Sequence, residues 1–241
     1  MCGSKKMKKV IAILQSNYIP WKGYFDIIGM SDEFVLYDDV QYTKGDWRNR
    51  NKIKTPNGTE WLTLPVNSKG RLTQGLKIQE VTIKDPSWGH HHWKTISQNY
   101  SKAPFFKEYS PFFADFYLKN TETLLSQVNY QLIKIVCHIL DIKTRLSWSI
   151  DYSLSEDKNL RLVEICQQLQ ATHYLSGPAA KSYLDEALFK KNNIDVLWMD
   201  YSGYPEYTQL YPPFEHGVSI IDLIFNEGAQ AQKYMKGFLS S

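Results

Sequence analysis

Apolar and polar residues follow one another in blocks that predict strands, loops and helices. Residues 9–14 carry a short apolar run of the kind found in a buried central strand. A polar loop follows, and Pro20 and Gly23 mark the entry into a helix. Residues 34–37 then form a second short apolar strand. This order of strand, loop, helix and strand predicts a parallel βαβ unit.

The rest of the chain shows the same two periodicities. Residues 47–53 and 60–66 flank a Thr-Pro-Asn-Gly-Thr turn and predict a hairpin, and the alternation in residues 77–83 predicts a further strand. Apolar residues near i, i+3 and i+4 spacing predict helices over residues 88–100, 111–118, 121–140 and 160–169. Short strands are predicted at residues 144–150, 172–176 and 196–200, and a helix over residues 179–191 makes the last two a second βαβ-like unit.

These elements together predict an α/β fold with a Rossmann-like, mainly parallel sheet, a helical insertion and C-terminal helices. The chain shows neither an internal repeat nor a low-complexity linker. We therefore expect a single domain over residues 9–241, preceded by a flexible basic tail of residues 1–8.

Composition narrows the class of protein. Apolar residues make up 43% of the 241 residues and charged residues 22%, which is typical of a folded globular chain. A net charge of +3 argues against nucleic-acid binding, and no apolar window is long enough to span a membrane. Cys2, Cys137 and Cys166 lack the spacing of a disulfide framework or a zinc site. Because no signal-peptide pattern follows the basic start, we expect a cytoplasmic protein. We also expect that it has neither a metal nor a cofactor.

The loop after the first strand is the first candidate binding segment. Ligands of open α/β sheets bind at the carboxyl ends of strands. Gln15, Asn17 and Tyr18 supply hydrogen-bonding groups there, and Trp21 and Tyr24 supply flat faces for a base or a sugar. The alternative is an aromatic helix start that only packs on the sheet.

The second candidate segment is residues 37–51, which concentrates charge and amide groups. Asp38 and Asp39 are candidate catalytic carboxylates, but successive strand residues point to opposite faces, so only one of them is expected to act. Arg48 and Arg50 share a face if the segment is extended, and two guanidinium groups suit phosphate or carboxylate. The alternative is a solvated ladder of charged residues. The other candidates in this segment are Gln41, Lys44, Trp47 and Asn51.

Histidines offer a third kind of chemistry. The consecutive residues His90, His91 and His92 lie about 100° apart on a helix and are not expected to share a metal, although one of them would suit a general base. His173 is the better-placed single histidine and is a further catalytic candidate. It precedes Ser176, where the start of a helix would hold phosphate or carboxylate; an ordinary N-cap is the alternative for this serine.

Three strings resemble the signature of the WbqC-like protein family. They are Gln15-x-x-Tyr18-x-Pro20-Trp21-x-Gly23-Tyr24-Phe25, Tyr37-Asp38-Asp39-Val40-Gln41 and Trp47-Arg48-Asn49-Arg50-Asn51. Three later strings are similar to the carboxyl-terminal half of that family: Tyr174-Leu175-Ser176-Gly177, Tyr183-Leu184-Asp185 and Ser219-Ile220-Ile221-Asp222-Leu223. Family members commonly carry Gln-Pro where this chain has Gln15-Ser16, so the loop is expected to be less rigid here.

The resemblance implies a role in bacterial surface-polysaccharide biosynthesis of the O-antigen type. We expect an enzyme that acts on an activated sugar such as a nucleotide-sugar, and that transfers an acyl or aminoacyl group to an amino-sugar. In this hypothesis cations bind phosphate, indoles stack on a ring, and one carboxylate orients or deprotonates the acceptor amine; the residues are Lys44, Arg48, Arg50, Trp21, Trp47, Asp38 and Asp39. The alternative is a non-catalytic module that binds a glycan precursor or a partner enzyme through the same aromatic face.

Overall fold

The computed structural model describes residues 7–67 and 75–238, and the chain divides into two compact units. The first unit contains residues 7–15, Ile27–Tyr37 and Lys143–Ser202. The second contains Ser16–Asp26, the described part of Asp38–Ile142, and residues 203–238. Cys2 and residues 1–6 of the predicted tail lie outside the described residues. A single domain over residues 9–241 stays a prediction.

The described residues form seven strands and seven α-helices, with short 3-10 helices between them. In chain order these elements are β1 (Val10–Leu14), α1 (Lys22–Gly29), β2 (Glu33–Leu36), β3 (Arg50–Thr55), β4 (Gly58–Thr63), α2 (Trp88–Tyr100), α3 (Phe106–Lys119), α4 (Leu125–Ile139), β5 (Arg145–Trp148), α5 (Lys158–Gln168), β6 (His173–Ser176), α6 (Glu186–Lys191), β7 (Asp195–Trp198) and α7 (Ile220–Glu227).

The first unit holds a five-stranded sheet in the order β5-β2-β1-β6-β7. Every pair of neighbours is parallel, so the predicted α/β fold with a mainly parallel sheet is confirmed. The central strand β1 is almost completely buried, as its apolar run predicts. One core of the unit packs Ile11, Ile13 and Val35 of the sheet with Val163 and Cys166 of α5.

The second unit combines the predicted hairpin with four helices. Strands β3 and β4 pair antiparallel around the turn that begins at Thr55. Helices α2, α3 and α7 meet at Phe225, whose ring centroid lies 5.0 to 5.5 Å from those of Tyr100, Phe106 and Phe113. Asp222 of α7 is fully buried and accepts hydrogen bonds from the hydroxyl groups of Tyr100 and Tyr207. Its role in this unit is therefore structural.

The predicted strand over residues 77–83 is wrong. Residues Ile78–Glu80 form a 3-10 helix that the amide of Val81 closes on the carbonyl of Ile78, and residues 77, 82 and 83 make only isolated bridges. Ile78 and Val81 are both buried and lie three residues apart. This spacing fits one face of a 3-10 turn as well as it fits an irregular strand, which explains the error.

Two predicted helices have different limits in the structure. Helix α3 begins five residues before Pro111, so this proline lies inside the helix rather than at its start. The helix predicted over residues 179–191 is interrupted: a 3-10 helix covers Pro178–Ser182, and Asp185 then caps α6 by accepting a hydrogen bond from the amide of Leu188. None of the helices within the described ranges combines the length and the apolar character that crossing a bilayer requires.

Candidate functional site

A cleft of about 300 Å³ in the second unit is lined by residues from both candidate segments. Its lining residues are Asn17, Pro20, Trp21, Trp47, Asn51 and Gly217. The structure thus brings together four residues that the sequence singled out, namely Asn17, Trp21, Trp47 and Asn51. That they bind a ligand stays a prediction.

Backbone hydrogen bonds join the two segments at this cleft. The amide of Tyr18 donates to the carbonyl of Trp47 over 3.0 Å. The Asn51 Nδ2 group donates to the carbonyls of Tyr18 and Ile19 over 3.1 and 2.9 Å. Ile19 has a φ of 35°, a conformation that β-branched residues rarely adopt. Asn51 therefore holds a strained turn in place and forms part of the cleft wall.

Trp21 forms another wall of the cleft and also packs against the protein. Its indole lies over Gly23, where a methyl group would overlap the ring. Its ring meets that of Tyr204 edge to face, with centroids 5.7 Å apart. Trp21 thus packs at the helix start and also lines the cleft, while its binding of a base or a sugar stays a prediction.

Arg48 and Arg50 have different partners in the structure. The amide of Asn49 donates to the carbonyl of Asp46, so the chain turns at Arg48 before β3 begins. Arg48 donates from Nη1 to Asn17 Oδ1 over 2.9 Å and lies 3.6 Å from the Asp46 carboxylate. The Arg50 guanidinium instead lies 4.3 Å above the ring of Trp61.

Asp38 is buried behind the cleft and does not line it. Its Oδ1 atom accepts a hydrogen bond from the amide of Ser16 over 2.8 Å, while Oδ2 has no partner. Asn129 Nδ2 donates to the Ser16 hydroxyl and to the carbonyl of Arg48, which ties the two segments to α4. Burial raises the pKa of Asp38 to about 6, although the hydrogen bonds from Ser16 and the charge of Arg48 oppose this rise. Asp39 is only half-buried.

Tyr18 belongs to a buried network that the sequence did not predict. His92 Nε2 lies 3.2 Å from the carbonyl of Thr63, which can only accept, so this nitrogen carries the proton. His92 Nδ1 then accepts from the Tyr18 hydroxyl over 2.7 Å, and the Tyr18 oxygen accepts from Tyr117 over 2.8 Å. The sequence placed three histidines together without a signal of which one turns inward; only His92 is buried.

This network predicts an acid-sensitive contribution to stability. Burial lowers the pKa of His92 to about 4, so the folded state loses stability as the pH falls from 6.5 through 4. The variant His92→Phe lacks this titration and is expected to be less stable than the wild type at pH 7. The difference should shrink by up to about 3 kcal/mol towards pH 4. Urea unfolding of both proteins across this range measures it, and parallel pH curves would refute the prediction.

The other candidates of the two segments lie outside the cleft lining. Tyr24 is buried, and burial raises its pKa well above the usual value, so its ring belongs to the interior. Gln41 is exposed and bridges to Lys77, and Lys44 is exposed. Gln15 is half-buried at the end of β1 in the first unit.

His173 and Ser176 lie on β6 in the first unit and do not line the cleft. His173 Nδ1 is 2.8 Å from the Thr172 hydroxyl, and Nε2 is 3.9 Å from the exposed Asp195 carboxylate. Ser176 is buried, and the five-residue 3-10 helix that follows it replaces the predicted helix start. No cluster of three or more His, Cys, Asp and Glu side chains suited to a metal occurs in the described ranges.

Comparison with known proteins identifies the family of this chain. The model of the WbqC-like protein family matches residues 15–234. The uncharacterized protein Rv1507c of Mycobacterium tuberculosis is 51% identical over 230 residues, which is 95% of this chain and 98% of that protein. No solved structure matches the chain. The matched range includes both segments of the cleft, and the chain belongs to the WbqC-like protein family.

Proposed function

We propose that the cleft binds the ring of an activated sugar and that the protein serves in the assembly of bacterial surface polysaccharide. The observation that carries this proposal is the pairing of two indoles, Trp21 and Trp47, with the amide of Asn17 in one cleft. Tryptophan faces stack on rings, and amides select hydroxyl groups. A volume of about 300 Å³ suits one substituted ring.

The amide of Asn17 is oriented for this task. Arg48 donates to Asn17 Oδ1, which leaves the Nδ2 group of Asn17 to donate to a ligand. The Arg48 guanidinium is itself held by Asp46 and Asn17. Arg48 therefore acts here as a positioning residue rather than as the main phosphate ligand.

An acyl or aminoacyl transfer to an amino-sugar needs a group that manages the proton of the acceptor amine. Asp38 is ionised at neutral pH, with a pKa of about 6, but it is buried beside Ser16 and cannot take up this proton directly. It does not line the cleft, so we assign it a positioning role through Ser16 and the neighbouring Asn17.

A binding module without catalysis is the second candidate function. The observation that favours it is the chemistry of the lining: none of the six residues that line the cleft has a side chain that titrates near neutral pH. Stacking and hydrogen bonding alone would then retain a glycan precursor.

Calorimetric titration with a panel of uridine and thymidine diphosphate sugars tests the proposal. Trp47→Ala should weaken binding of the best ligand about 5- to 150-fold, since stacking on one aromatic side chain contributes roughly 1–3 kcal/mol. Phe112→Ala is the matched control, because Phe112 and Trp47 are 42% and 43% exposed and Phe112 does not line the cleft. Equal affinity of Trp47→Ala and the wild type, or the absence of binding across the panel, would reject the proposal.

A further inference from the structure

The outward face of the β3–β4 hairpin carries two cations on one tryptophan. In the strand register Lys52 lies opposite Trp61, and Arg50 is two residues from Lys52 on the same face of β3. The Arg50 guanidinium carbon is 4.3 Å from the centre of the Trp61 ring, and Lys52 Nζ is 5.2 Å from it. Both cations therefore make cation–π contacts with the Trp61 ring, which keeps them close to each other.

These two charges have no carboxylate partner among residues 7–67 and 75–238. Neither Arg50 nor Lys52 forms an ion pair with a carboxylate in the part of the chain that the structure describes. The Nε atom of Arg50 is buried and has no hydrogen-bond partner. Arg48, in contrast, has both Asn17 and Asp46 as partners. The hairpin thus carries two cations that have no ion-pair partner among the described residues, and both pack on one ring.

The cationic pair adjoins the cleft through one shared side chain. Trp47 lines the cleft, and its ring centroid is also 5.3 Å from that of Trp61. Both rings remain partly open to solvent, with Trp47 43% and Trp61 39% exposed. Asn51, between Arg50 and Lys52 in sequence, points to the opposite face of β3 and lines the cleft. Trp47, whose ring contacts Trp61, is therefore the link between the cleft and the face that carries the two cations.

We infer that Arg50 and Lys52 form an anion subsite for the diphosphate of the ligand whose ring occupies the cleft. The identity of the ring rests on the proposed function, whereas the anion subsite rests on the hairpin alone. A space of about 300 Å³ holds one ring but not a ring with its diphosphate and second substituent, so the charged part lies outside the cleft. An arginine fork beside a lysine matches a doubly charged phosphate group.

Calorimetric titration of the full chain with inorganic pyrophosphate tests this subsite. The double variant Arg50→Gln/Lys52→Gln should bind pyrophosphate at least about tenfold more weakly, and binding to the wild type should weaken as salt is added. Lys102→Gln/Lys107→Gln, on two exposed lysines, is the control for the loss of two positive charges. Trp61→Phe keeps a ring under the cations and should lose less affinity than the double variant. Cooperative thermal melting of each variant establishes that it folds.

The result separates this inference from the proposed function. Uridine diphosphate glucose and farnesyl diphosphate, titrated in parallel, distinguish a nucleotide from a lipid as the source of the diphosphate. Pyrophosphate binding that depends on Arg50 and Lys52 supports the subsite even if no sugar of the panel binds. Equal pyrophosphate affinity of the double variant and the wild type, or no binding to the wild type at millimolar concentration, overturns it even if Trp47 proves essential for a sugar.

Discussion

Asp38→Asn is expected to make the protein more stable at pH 7.5, by up to about 3 kcal/mol. The carboxyl group is fully buried, and its Oδ2 atom lacks a partner. Ionising it in the folded state is costly, which is why burial raises its pKa to about 6. Asparagine keeps an oxygen that can accept from the amide of Ser16 and removes the buried charge.

The pH dependence of this effect has a defined sign. The folded pKa of Asp38 lies above the ordinary value of 3.8, so protonation stabilises the folded state and this contribution is lost as the pH rises from 3.8 through about 6. The wild type and Asp38→Asn should therefore be closest in stability near pH 4. Their difference should grow up to about pH 6 and stay constant above it.

Urea unfolding of the two proteins between pH 4 and pH 8 measures this difference. Asp39→Asn is the matched control, because its carboxylate is the neighbour in sequence but is only half-buried, so the same substitution there should stabilise the protein less. A destabilised Asp38→Asn protein at pH 7.5 would show that the carboxylate is held by a stabilising interaction. Loss of polysaccharide assembly in a complementation assay, in a variant of raised stability, would assign Asp38 to function rather than to folding.

Asn51→Ala is expected to lower the free energy of unfolding by about 2–4 kcal/mol and to abolish ligand binding in the cleft. The substitution removes the donor shared by the carbonyls of Tyr18 and Ile19, both of which belong to buried residues. Ile19 is strained, with a φ of 35°, and depends on this contact to keep the turn. The cleft wall formed by Pro20 and Trp21 follows directly in the chain and should relax with it.

Chemical unfolding and the sugar titration together measure the effect of Asn51→Ala. Asn67→Ala is the control, because the Asn67 amide makes one exposed hydrogen bond to Thr82, and its loss should change stability by less than about 0.5 kcal/mol. If Asn51→Ala unfolds with the same free energy as the control and still binds ligand, the loop is held by other contacts.

The hydrophobic pattern predicted most of the sheet because a buried strand appears in the sequence as a short run of apolar residues. The five parallel strands are short, and the central strand β1 is a continuous apolar run, as a sheet covered on both faces requires. The pattern failed at residues 77–83. There Ile78 and Val81, three residues apart, are buried, but the backbone forms a 3-10 helix instead of pairing as a strand. Periodicity reports which side chains are buried, not which backbone groups pair.

The candidate site was predictable to the extent that it follows strand ends. Strands β1 and β2 are parallel neighbours, so the segments that leave them start side by side, and the meeting of Asn17 with Arg48 follows from that order. The sequence did not predict that Tyr18 and Tyr24 are buried. Nor did it predict that Arg48 contacts Asn17 while Arg50 packs on Trp61, because both contacts join residues from different elements.

The sequence by itself determined the α/β class, the parallel pairing around β1, the hairpin and the two segments that line the cleft, because periodicity and turn residues act over a few neighbours. Only the tertiary structure decided which residues are buried and which contacts they make. His92, rather than His90 or His91, forms a hydrogen bond with Tyr18. Asp38 is buried, whereas Asp39 is not. Arg50 and Lys52 both pack on the ring of Trp61. Each of these outcomes depends on packing against residues distant in the chain, and no local pattern records such packing.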